Sequence, residues 1–131
     1  MEKFSLDNVN TTEVHIINNQ EINGEQLILS ISKKFQRNDN HIFEGVSSAE
    51  MYIINEDSFD INQRTFYVKI TIKGLFSSTV PLHTVSDETL DDVITRELFP
   101  YLRACMASTM ASAGLPQYPV SYTHLTLPTT P

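Results

Sequence analysis

The sequence predicts an α+β domain in which a four-stranded antiparallel sheet carries C-terminal helices packed on one face. Two observations predict the sheet: residues 26–35 and 66–73 alternate apolar and polar side chains with period two, and short polar stretches separate the candidate strands. A third predicts the helices, because apolar residues take up helical spacing after Ser86 and keep it to about residue 113.

Residues 12–17 form a weaker strand with Val14 and Ile16 on one side, followed by an Asn- and Gly-rich turn over 18–24. The next strand sets Leu27, Leu29, Ile31 and Phe35 against Ser30, Ser32 and Lys34, and the two together suggest an antiparallel pair. After a loop at residues 37–40, the segment 50–55 carries Met51 and Ile53 against Tyr52 and Ile54. Beyond a polar turn around Asn62, Gln63 and Arg64, the clearest alternation sets Phe66, Val68, Ile70 and Ile72 against Tyr67, Lys69, Thr71 and Lys73. Gly74 interrupts it, where a bulge or a close backbone approach is expected.

Ser86 is an N-cap followed by Asp87 and Glu88, acids that suit the positive end of a helix dipole. Leu90, Val93, Ile94 and Leu98 follow at helical spacing, and Pro100 calls for a break or a bend. From residue 101 to 113, Leu102, Cys105, Met106, Thr109 and Met110 make one stripe, beside the small residues Ala104, Ala107, Ser108 and Ala111. Gly114 suits a left-handed residue just past the helix, and Pro116 prevents continuation. One domain is expected over residues 1–120. Residues 121–131, which contain SYTHLTLPT, have no charge and no usable period; they resemble translated sequencing-adapter read-through and are expected to be a non-native tail.

With 131 residues, 40% of them hydrophobic and 19% charged, the chain suits one globular domain. The net charge of −7 repels phosphate backbones, so no nucleic-acid partner is expected, and Lys33, Lys34 and Arg37 form only a short basic cluster. Cys105 alone cannot make an internal disulfide, the N-terminus lacks a signal-peptide pattern, and the apolar runs are too short for direct membrane insertion. A cytoplasmic location is the simplest expectation.

Leu98-Phe99-Pro100-Tyr101-Leu102-Arg103, followed by Gly114-Leu115-Pro116, resembles the LFPY-x-R and G-x-P signature of the SecB family of protein-export chaperones. Gly74-Leu75-Phe76 at the end of a strand is similar to that family's G-[IL]-F element. The resemblance covers residues 50–120 by motif and the earlier strands by pattern. It implies a dimer of dimers, a homotetramer that holds unfolded precursor polypeptides for the Sec pathway and passes them to the SecA motor. Relatives also serve toxin–antitoxin pairs or occur in phages. Lys69 stands where the family carries an acid of its SecA-docking patch, which counts against that handover.

Phe66, Leu75, Phe76, Phe99, Tyr101, Leu102, Met106 and Met110 are candidates for a client-binding groove, since aromatic and Met side chains adapt to many sequences. Each alone reads as ordinary core; as a set, with the resemblance, they suggest a partly exposed furrow. Ala104, Ala107, Ser108 and Ala111 suggest an oligomer interface, against the alternative of close packing on the chain's own sheet. His15, His41, His83 and His124 lack metal-ligand spacing, and Asp87, Glu88, Asp91 and Asp92 read as solvated groups at a helix start. With no nucleophile–base pair and no phosphate-cradling loop, neither catalysis nor a cofactor is expected. The expected function is a holdase for precursor proteins; the alternative is a dedicated chaperone of one partner, such as an antitoxin or a phage accessory protein.

Overall fold

A computed structural model describes residues 3–18, 27–53 and 66–114. Its elements are β1 (Phe4–Asn18), β2 (Leu27–Arg37), β3 (Ile42–Ile53), β4 (Phe66–Ser78), a single 3₁₀ turn (Leu82–Thr84) and α1 (Asp87–Ser112). The strands form one antiparallel sheet in the order β1-β4-β3-β2, and α1 lies across it. The turns expected at 18–24 and around residues 62–64, the role of Pro116, the boundary near Val120 and the tail 121–131 lie outside the described residues.

Strand β4 holds the centre because its alternation is strict: Phe66, Val68, Ile70, Ile72 and Phe76 are buried on the helix side. The pairing of the first two strands is corrected. β1 bonds to β4, and β2 bonds to β3 at the opposite edge. A strand as apolar as β4 buries its backbone groups by taking a neighbour on each side, whereas the largely polar β1 suits an edge.

β3 starts earlier than its sequence pattern shows, at Ile42, because after Phe43 its next helix-facing positions are Gly45, Ser47 and Ala49. Their smallness has a packing reason. Gly45 pairs directly with Gly74 of β4, and a Cβ on Gly45 would stand 2.5 Å from Ile94 Cγ1. One on Gly74 would stand 2.8 Å from Leu98 Cδ2. The glycine pair forms a saddle into which the helix presses Ile94 and Leu98. The close approach expected at Gly74 is therefore real, while the register shifts lie across from it on β1, around Asp7 and Thr12.

Ser86 caps α1, its Oγ accepting the Thr89 N–H at 3.2 Å. The expectation of more than one helix is corrected: among the described residues there is one α-helix, continuous through Pro100. Proline removes one N–H donor there, but Leu98 and Leu102 on either side are held in the core and keep the chain helical. Gly114, at φ 73°, takes the left-handed conformation just beyond the C-cap Ala113.

Candidate functional site

Helix α1 buries Leu90, Ile94, Leu98, Leu102, Met106 and Met110, a strict spacing of four. On a helix of 3.6 residues per turn, each such step carries the buried line about 40° further round the axis. By the C-terminal half the helix presents a different side to the core. Tyr101 and Ser108 then lie on the flank that Leu90 and Ile94 turn inward earlier in the helix, and Ala104 and Ala111 lie beside it. Tyr101 is 47% exposed, Ala104, Ser108 and Ala111 are exposed, and Ala107 is half-buried. The small-residue stripe is thus not spent on the chain's own sheet.

The eight residues read as a client groove do not share one surface in the single chain. Phe66, Phe76, Leu102, Met106 and Met110 lie in the core, where Phe76 stacks on Phe43 at a centroid distance of 4.8 Å. Leu75 faces the other way from Phe76, onto the sheet face away from the helix, and is partly exposed. Phe99 is half-buried, with the Arg103 guanidinium 5.7 Å from its ring centre. The surface-accessible members are therefore Leu75 on the open sheet face, and Phe99 and Tyr101 on the helix.

On the open sheet face, acids and bases are interleaved. Lys69 lies in register between His15 and Glu50, with its Nζ 3.6 Å from Glu13 Oε1. Lys73 Nζ is 3.2 Å from Glu44 Oε2, and the Tyr67 hydroxyl donates to Glu50 Oε2 at 2.7 Å. The Asn38 amide and then the Lys73 ammonium hold the Glu44 carboxyl below its usual range. Each of these three carboxylates has a cationic or hydrogen-bonding partner, which leaves them no concentrated acidic patch.

Sequence reasoning missed the polar closure between β2 and α1. Arg37 Nη2 donates to Asp87 Oδ1 at 2.7 Å and to the Val85 carbonyl at 3.0 Å. Lys33 Nζ donates to Thr95 Oγ1 and lies 3.6 Å from Asp91 Oδ2. The signal was present in the sequence: Lys33 and Arg37 share the parity of Leu27, Leu29 and Ile31, so they face the helix, and Asp87, Asp91 and Thr95 recur every four residues along it. Asp87 and Asp91, read as solvated acids, hold this edge in addition to favouring the helix start.

His41 Nδ1 meets the Ser78 carbonyl at 3.0 Å, His83 Nδ1 meets Asn40 Oδ1 at 2.9 Å, and His15 sets its ring edge against Tyr67. Cys105 is half-buried beside the core. Among the described residues no three His, Cys, Asp or Glu side chains are grouped to hold a metal ion. No helix among them is long and apolar enough to cross a membrane.

No family model matches the sequence, and no curated protein is significantly similar to it. Among solved structures, a SecB-like chaperone of Mycobacterium tuberculosis, in complex with a ChAD peptide from the HigA1 antitoxin, superposes with a TM-score of 0.69. That similarity covers 91% of this chain and 89% of the other at 14% identity. The chain has a SecB-like fold.

Proposed function

We propose that this chain is a peptide-binding chaperone dedicated to one partner, an antitoxin of a toxin–antitoxin pair or a phage accessory protein, whose apolar segment it shields from water. The observation that carries this reading is the likeness, over nine-tenths of the chain, to a SecB-like chaperone seen with an antitoxin peptide. The compensated open face supports it from another side. A motor recruited through an acidic patch would meet Lys69 and Lys73 there, each beside a glutamate.

The work is done by binding alone. Leu75, Phe99 and Tyr101 supply reachable apolar surface, and burying it against a partner contributes roughly 25 cal/mol per Å² before ordering costs are subtracted. The exposed face of Ala104, Ser108 and Ala111, with Ala107 at its margin, serves as the contact between copies in a homotetramer. The compartment proposed is the cytoplasm.

The second reading, a general holdase for Sec export with SecA as its acceptor, rests on the LFPYLR and GLP motifs. One pair of assays separates the two: affinity capture from the native host, and suppression of aggregation of three unrelated, chemically unfolded proteins. The dedicated reading expects one stoichiometric partner and little protection of the three. Broad protection with no preferred partner favours the general holdase, and failure in both assays removes the chaperone reading. A stable monomer in light scattering removes the small-residue interface.

A further inference from the structure

We draw no further inference here: the strongest candidate, the hollow on the outer flank of α1 lined by Asp92, Thr95, Arg96, Phe99 and Pro100, carries nothing because nothing among the described residues shows what covers it.

Discussion

Along its β1 edge the sheet is polar, twice bulged and leaves Val14 half exposed; along its β2 edge it is straight, apolar in its first half and stitched to the helix by charge. Both edges must be kept from indiscriminate pairing, and they meet that need by different physics. β1 uses backbone geometry, in which extra residues at Asp7 and Thr12 break the ladder. β2 keeps a regular ladder and carries Lys34, exposed on the open face. A geometric guard acts against every partner, whereas a charged one admits the partner that complements it.

Between the edges lies the glycine saddle, and the largest effect is expected there. Ile94→Ala should cost about 2–5 kcal/mol of stability in urea unfolding, the usual range for truncating a buried aliphatic side chain. Gly45→Ala should cost about 1–3 kcal/mol through overpacking against Ile94. The double variant should cost clearly less than the two added together, since one change vacates the space the other fills. Strict additivity would mean that Gly45 does not set how closely the helix sits.

How much of this could be read from the sequence divides along the same line. β4, the N-cap at Ser86 and the left-handed Gly114 were legible because each rests on local chemistry: strict alternation, a short hydroxyl, a missing Cβ. β1 was legible only in its last third. Its helix-facing residues Phe4, Leu6, Val9, Val14 and Ile16 are spaced two, three, five and two apart, because each bulge flips the parity of the strand. The front of β3 was hidden by the small residues Gly45, Ser47 and Ala49, and the size of Gly45 is dictated by Ile94, nearly fifty residues later in the chain. Of the groove set, Leu75, Phe99 and Tyr101 are at least partly accessible and the other five are core. Hydrophobic identity does not say which side of a sheet or helix has a cover.

The charged edge should respond to a smaller degree. A double-mutant cycle of Arg37→Ala with Asp87→Ala should give a coupling of about 0.5–1 kcal/mol, as for an exposed, well-aligned pair. It should shrink towards zero in 1 M salt, with a Debye length of roughly 3 Å. A coupling that ignores salt would move the origin of the contact to packing of Arg37 on Phe35.

The geometric edge should yield least in stability and most in association. Deleting Thr12 brings Thr11 and Glu13 into the adjacent positions opposite Ile72 and Thr71, so every side chain keeps its face. Stability should change by less than about 1 kcal/mol, while the straightened edge should raise self-association in sedimentation. A large loss of stability would show that the bulge is needed for the sheet to curve around the helix, and is not chiefly a guard.

The smallest expected effect belongs to Glu44, which ties the β2–β3 hairpin to the sheet through Asn38 and Lys73. Its folded pKa lies below the ordinary 4.5, first because of the Asn38 amide and then because of Lys73. A group whose pKa is depressed on folding binds protons more readily when unfolded, so its stabilising contribution is complete above the unfolded value. It is lost as pH falls from about 4.5 through the lower folded value. Glu44→Gln should therefore flatten the acid limb of the stability profile in that window and leave neutral stability nearly unchanged. Asn38→Ala should flatten it in part, and the Thr12 deletion, on the far edge, should leave it alone. An unchanged slope in Glu44→Gln would assign the acid sensitivity of the fold to other carboxylates.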